Sequence, residues 1–145
     1  MIPLYEDLIN ILEGELTHCA RMIELLRTER EVIVGMDHKA LELLLKDKQA
    51  VTDRIRQCDD RRESILRALG FDNKTISEVS ETAEEEYRGR LKDIASRFKP
   101  VIRNISELNK INSMLIEKSL YYLKTSYNFL NTFDIRPKQR VSLEA

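Results

Sequence analysis

Three cationic side chains lie at positions where a repeating helical pattern requires apolar ones. Arg30, Lys48 and Arg62 each interrupt a series of apolar residues that recur in steps of three and four. Cations that converge in a helical pocket could bind a dicarboxylate. Alternatively, their aliphatic stems cover the core while their charged heads reach water. The second interpretation is favoured, because the third predicted helix faces them with apolar residues, namely Leu91, Ile94, Phe98, Val101 and Ile105.

Two histidines and two cysteines are the other side chains that could carry chemistry. His18 and His38 stand apart, and Cys19 and Cys58 lack CxxC spacing. A zinc site needs about four such ligands at suitable spacing. We therefore predict no catalytic residue, no metal site and no cofactor. Both cysteines are expected to be reduced and to pack as small apolar residues in the core.

The composition excludes several classes of function. The chain has 145 residues, enough for one domain, and a net charge of −1, with 34% charged residues. Without an excess of positive charge, neither nucleic acid nor an anionic membrane surface is an expected partner. No apolar run reaches the roughly 18 residues of a membrane span, and the first residues lack the basic segment of a signal peptide. We expect no membrane insertion and a cytoplasmic location.

Apolar residues follow a heptad pattern that is typical of coiled-coil helices, and no segment shows the alternation of a strand. Gly35 and Gly70 are each expected to adopt the left-handed conformation that ends a helix. Asp37 is expected to cap the second helix, and Thr75 and Thr82 each begin a capping box. The prediction is an all-α, elongated three-helix antiparallel bundle forming one domain over residues 1–131. It has helices at about 3–34, 37–69 and 82–131, a short helix at about 75–81, and a flexible tail over 132–145.

The first two helices predict a specific antiparallel pairing. Setting their apolar lines face to face places Leu26 opposite Lys48 and Leu12 opposite Arg62. Each of these helices would be about 50 Å long and the last about 75 Å, so about 15 residues of the last helix would extend beyond the hairpin. Pro100 leaves an alternative open, because a kink there could fold this end back.

The helix around residues 105–130 has more apolar surface than packing within one bundle requires. Two apolar lines flank a polar ridge of Asn112, Ser119 and Ser126, and together they span about 160°, against ~100° for a typical surface helix. One line is Leu108, Leu115, Tyr122 and Phe129, and the other is Ile116, Leu120, Leu123, Tyr127 and Leu130. This width indicates a helix that serves two partners, its own bundle and another protein. The alternative is that the band closes a bundle, within one chain or in a homodimer.

The same segment resembles the C-terminal helix of FlgN-type flagellar export chaperones. The resemblance lies in the pattern Asn109-x-x-Asn112-x-x-Leu115-Ile116-x-x-Ser119-Leu120 and in the preceding hairpin, whose second helix ends in Leu-Gly-Phe. It implies a cytosolic, non-enzymatic chaperone that binds hook–filament junction (hook-associated) proteins through their terminal helices. Such a chaperone prevents their premature assembly and delivers them for secretion. The tail segment FDIRPKQR departs from the Tyr- and Gly-containing segment that many relatives carry and that is associated with the export gate.

The residues expected to bind a partner lie on the polar ridge and beside it: Leu108, Asn109, Asn112, Leu115, Ile116, Ser119, Leu120, Tyr122, Leu123, Tyr127 and Leu130. The same surface could support a weak homodimer. Two other functions remain open. One is a generic coiled-coil adaptor. The other is a small helical enzyme of the chorismate mutase type, to which the segment Asp60-Arg61-Arg62-Glu63 has a passing likeness.

Overall fold

A computed structural model describes residues 2–132, with only the backbone described for residue 2. The regular structure of this part is entirely helical, which confirms the predicted all-α class. The helices are α1 at Ile2–Gly35, α2 at His38–Ala68, α3 at Ile76–Thr82 and α4 at Glu85–Thr132. The predicted tail lies outside the described residues, except for Thr132 at the end of α4. Within residues 2–132, no helix has the length and apolar character needed to span a membrane.

Helix α1 packs against α2, and buried ion pairs give the direction of the contact. Glu29 pairs with Lys48 and Glu15 pairs with Arg62, each at 2.8 Å, so α2 runs antiparallel to α1. The predicted register sets Lys48 opposite Leu26, and the long lysine side chain reaches Glu29, one turn further along α1.

Helix α1 also packs against α4, which runs parallel to it. Arg90 donates to Glu6, 84 residues earlier, and Asn112 donates to Glu29, 83 residues earlier. These two contacts lie on opposite sides of Pro100. The number of residues between the two contacting partners is almost the same before and after Pro100. Helix α4 therefore continues alongside α1 through Pro100 and does not fold back.

Helix α1 is buried along two neighbouring lines. One is the predicted apolar line, which includes Ile9, Leu12, Leu16, Cys19, Ile23, Leu26 and Ile33. The second line is displaced by one residue toward the N-terminus. It contains Leu8, Ile11, Glu15, Met22, Leu25 and Glu29. Two buried lines are what a helix needs to contact two neighbours. The predicted line fails at Arg30, which is exposed, while the adjacent Glu29 is buried.

The two predicted helix ends differ in their left-handed residue. Gly70 has a φ of 82°, as predicted, but after α1 the residue with positive φ is Met36, at 54°. Gly35 is instead the last helical residue of α1. Asp37 caps α2, as predicted, by accepting a hydrogen bond from the Ala40 amide at 3.1 Å.

The start of the last helix also differs from the prediction. The capping box of Thr75 and Glu78 is present at the start of α3. Thr82 does not begin a helix, because its hydroxyl donates to the Glu78 carbonyl at 3.3 Å and it belongs to the last turn of α3. Helix α4 therefore begins at Glu85.

Candidate functional site

The C-terminal part of α4 extends past the end of α1. The register of the α1–α4 contact sets Gly35, the last residue of α1, level with Ser119. Helix α4 continues to Thr132, so about 13 residues, or ~20 Å, project beyond the α1–α2 hairpin. Within residues 2–132, the backbone of α4 lies close to α1 and α3 but not to α2. We refer to residues 120–132 as the projecting end.

Large apolar side chains are exposed along the second half of α4. They are Ile111, Met114, Ile116, Leu120, Tyr121, Tyr122 and Phe129. Leu120 is 51% exposed and Tyr122 is 69% exposed. Single exposed apolar residues are ordinary, but several on one half of a helix make it a candidate interaction surface.

The predicted partner-binding residues fall into three groups. Asn109, Ile116, Leu120 and Tyr122 are exposed. Leu108, Leu115, Ser119, Leu123, Tyr127 and Leu130 are half-buried, as is Ser126. Asn112 is buried, at 2% exposure. Of the polar ridge, Asn112 thus faces inward, and the exposed residues Ile116, Leu120 and Tyr122 lie beside the ridge.

An apolar groove joins α4 to the tip of the hairpin. Its walls are Ile116, Leu120 and Leu123 from α4, and Ile33, Met36 and Leu41 from the hairpin, around a volume of about 190 Å³. Ser119 lies between the two walls. We call this the tip groove. A groove of apolar side chains with few polar groups suits the apolar face of another helix.

The hairpin wall of the tip groove was not expected from the sequence. Met36 is 48% exposed and the neighbouring Val34 is 67% exposed, although both are apolar. The signal was present in the turn sequence Val-Gly-Met-Asp, which places large apolar residues where polar turn residues are usual.

A polar layer crosses all three long helices just below the tip groove. The Asn112 side chain on α4 donates to Glu29 Oε1 at 2.8 Å and to the Leu26 carbonyl at 2.9 Å. Lys48 on α2 donates to Glu29 Oε2 at 2.8 Å. The amide oxygen of Asn112 is buried without a hydrogen-bond partner among residues 2–132. Buried polar groups at core positions fix register at a cost in stability, so this layer sets the height of α4, and hence of the groove.

Comparison with known proteins identifies the family. The family model described as FlgN protein matches residues 1–133, which is most of the chain. The chain belongs to the FlgN family. Neither the comparison with curated proteins nor that with solved structures gives a significant match. FlgN proteins are flagellar export chaperones, so the family agrees with a surface built to bind other proteins.

The cations on the core of this FlgN protein have structural partners. Lys48 neutralises the buried Glu29, and Arg62 bridges the buried Glu15 and the half-buried Asp59, at 2.8 and 2.9 Å. The Lys48 and Arg62 side chains are 22% and 26% exposed, so they are partly accessible to water, and their charged heads also contact acids. Both cations contact buried acids, Glu29 and Glu15, that the sequence did not identify as core residues.

Burial also shifts the pKa values of two groups near Arg62, namely Glu15 and Cys19. It raises the pKa of Glu15 to about 8, assisted by a hydrogen bond with Asp59 and opposed by the charge of Arg62. Burial likewise raises the pKa of the Cys19 thiol to about 11, which keeps it protonated and unreactive. Cys19 and Cys58 are both free thiols.

No side-chain cluster in the described part of this FlgN protein resembles a metal site. Groups of three or more histidine, cysteine or acidic side chains that could hold a metal ion do not occur among residues 2–132. His18 is half-buried and His38 is exposed at the start of α2.

Proposed function

We propose that this protein is a cytoplasmic, non-enzymatic chaperone for hook–filament junction proteins, which it binds, keeps from assembling early and delivers to the export gate. Membership of the FlgN family supports the general role. The observation that carries the specific proposal is the tip groove together with the exposed apolar residues beside it. An amphipathic terminal helix of the exported protein, the client, would place its apolar face there.

The polar ridge would contribute in a different way from that expected. Asn112 supports the site by holding α4 at the correct height, while Ser119 inside the groove offers a hydroxyl to the client. The affinity would come from Ile116, Leu120 and Leu123, because burying a large apolar side chain contributes about 1.5–3 kcal/mol. Tyr122, Tyr127 and Leu130 would extend the contact along the projecting end.

The proposed architecture is an antiparallel three-helix bundle with an extended last helix. The antiparallel α1–α2 contact and the parallel α1–α4 contact support it. The hairpin ends level with Ser119, so the client can approach the projecting end from several sides.

Two leucine-to-aspartate substitutions, one inside the tip groove and one outside it, test the proposal. Leu120→Asp places a charge in the tip groove, and we expect it to weaken binding of a client terminal helix at least about 100-fold, because the carboxylate would be buried without a partner. Leu43→Asp is the matched control, since Leu43 is 64% exposed on α2 and lies outside the groove. Calorimetric titration with purified client helices gives the two dissociation constants.

Folding must be compared in the same experiment. Leu120 is half-exposed, so its variant should keep the helical circular dichroism and the melting temperature of the parent. Equal loss of binding in both variants, or loss in neither, would refute the tip groove as the client site.

A further inference from the structure

A second cleft opens toward the other end of the molecule, between α2, the start of α3 and α4. Its apolar walls include Leu66, Phe98 and Ile102, around a volume of about 260 Å³. Ile102 is 58% exposed at the cleft, although it is large and apolar. Within residues 2–132, the backbones of α2 and α4 each lie close to α1 but not close to each other, and this cleft lies between them. We call it the basal cleft.

The charged side chains that line the basal cleft are all cationic, whereas Glu63 and Asp72 line the adjoining cavity. Arg62, Lys74 and Lys99 line the basal cleft, and none of its lining residues is acidic. Arg62 is already paired with Glu15 and Asp59. Neither lysine forms an ion pair within residues 2–132, and Lys74 lies 6.0 Å from the centre of the Phe71 ring.

The cationic lining of the cleft does not reflect a basic chain. The whole chain has a net charge of −1, so the lysines are not part of a generally basic surface. A bound anion could form ion pairs with Lys74 and Lys99. An apolar group next to that anion would be buried against the apolar walls. A ligand for this cleft therefore needs both a carboxylate and a large apolar group.

We propose that the basal cleft binds an acidic amphipathic segment of a protein partner. One large apolar side chain of that segment would lie among Leu66, Phe98 and Ile102, and a neighbouring carboxylate would contact Lys74 and Lys99. The volume favours a side chain over a cofactor, because small-molecule sites usually measure about 300–1,000 Å³. The apolar walls disfavour inorganic phosphate and nucleic acid.

The proposal is independent of the client-binding role. Lys99 and Leu120 are separated by 21 residues of one helix, or about 32 Å. The two sites are thus far enough apart for both to be occupied at once. Loss of one site should leave the other intact, which makes the two proposals separately testable.

A synthetic amphipathic helix built from Leu, Ala and Glu serves as the probe, and its counterpart with Gln in place of Glu is the neutral control. Labelled with a fluorophore, each is titrated with the full chain and followed by fluorescence anisotropy. We expect the acidic peptide to bind at least about tenfold more tightly than the neutral one, with an affinity that falls as salt rises. In a parallel amide NMR titration, the shifted signals should centre on Phe98 and Ile102.

Charge reversal provides the decisive comparison. In the double variant Lys74→Glu, Lys99→Glu, the affinity for the acidic peptide should fall at least about tenfold. A version of the peptide with Lys in place of Glu should bind to this variant instead. Lys92→Glu, an exposed change on α4 outside the cleft, should have no effect. Circular dichroism confirms that each variant is folded.

Three results would overturn the proposal. One is equal binding of the acidic and neutral peptides, and another is a charge-reversed variant that binds as before. The third is hexanoate, a small aliphatic carboxylate, binding as tightly as the acidic peptide, which would assign the cleft to a small ligand. Client binding at the tip groove, measured on the same charge-reversed variant, should remain unchanged.

Discussion

Single buried residues carry the strongest constraints in this protein. Glu29 accepts a hydrogen bond from Asn112 with one carboxylate oxygen and one from Lys48 with the other. Its side chain is 4% exposed and that of Lys48 is 22% exposed. Removing one partner of such a pair costs more than the pair contributes, because the remaining charge stays buried.

This asymmetry predicts a specific pattern of stabilities. Lys48→Met should lower the free energy of unfolding by about 3 kcal/mol, whereas Glu29→Met combined with Lys48→Met should lose much less. Urea denaturation of the parent, both single variants and the double variant gives the four values. If the double variant loses the sum of the two single losses, the two charges are not coupled and the interpretation is wrong.

The buried Glu15 predicts a dependence of stability on pH. Burial, together with a hydrogen bond to Asp59, raises the pKa of the folded carboxyl to about 8, against an ordinary value of 4.5. Between these values the folded chain holds a proton that the unfolded chain has lost, so stability should fall as pH rises from about 5 to about 8. Chemical denaturation across this range measures the slope.

A neutral isostere isolates the contribution of this carboxyl. Glu15→Gln should reduce the slope, because its side chain does not titrate. Glu24→Gln, an exposed acid on the same helix, is the control and should leave the slope unchanged. An unaltered slope in the Glu15 variant would assign the pH dependence to other groups.

At the scale of the helices, the sequence predicted the secondary-structure type and the order of the helices better than it predicted which helix faces pack together. The heptad pattern identified the all-α class, and the Asp37 cap and the Thr75 capping box were confirmed. What it missed was the second buried line on α1, in which Leu8, Ile11 and Glu15 begin another series with steps of three and four. That line contains two buried acids, Glu29 and Glu15, which contact Lys48 and Arg62 from α2. Such pairing between helices cannot be deduced from one helix alone.

The site was only partly predictable for a similar reason. The sequence identified Ile116, Leu120 and Leu123 as apolar surface, and it could not show that Met36 would form the facing wall. That juxtaposition depends on the height of α4 relative to the hairpin. The height depends on contacts between residues far apart in the sequence, such as Asn112 with Glu29 and Arg90 with Glu6, 83 and 84 positions apart.

Substitution by alanine should change stability in opposite directions at the two glycines that follow or end α1 and α2, Gly35 and Gly70. Gly35 is helical and has open space around the position of a Cβ, so Gly35→Ala should stabilise the protein by about 0.5–1 kcal/mol. Gly70 has a φ of 82°, so Gly70→Ala should destabilise it by about 1–2 kcal/mol. Urea denaturation measures both. Destabilisation by Gly35→Ala would mean that this glycine, and not Met36, holds the left-handed position.

At the scale of the whole molecule, the packed core is separate from the candidate binding surface. Helix α1 is covered on two sides by α2 and α4, whereas the projecting end of α4 extends about 20 Å beyond the hairpin. Changes in the projecting end can therefore alter partner binding with little effect on the core. Changes in the polar layer affect both, because that layer holds the three long helices together and sets the position of the groove.

Exposed apolar surface on the whole molecule should also drive self-association. Ile116, Leu120 and Tyr122 are 39%, 51% and 69% exposed, so each forgoes a part of the about 1.5–3 kcal/mol that full burial contributes. We therefore expect a weak homodimer through residues 108–130 at high concentration. A client helix would bury the same side chains, and client binding should therefore replace the dimer with a complex of one chaperone chain per client.

Light scattering over a concentration series, with and without client helices, measures both states. Leu120→Asp should shift the protein to monomer and weaken client binding together, because one surface serves both contacts, whereas Leu43→Asp should change neither. A dimer that persists unaltered in the client complex would show that the two interfaces are separate. In that case the groove between Leu120 and the hairpin tip would serve only one of them, and the other contact would have to lie elsewhere on the chain.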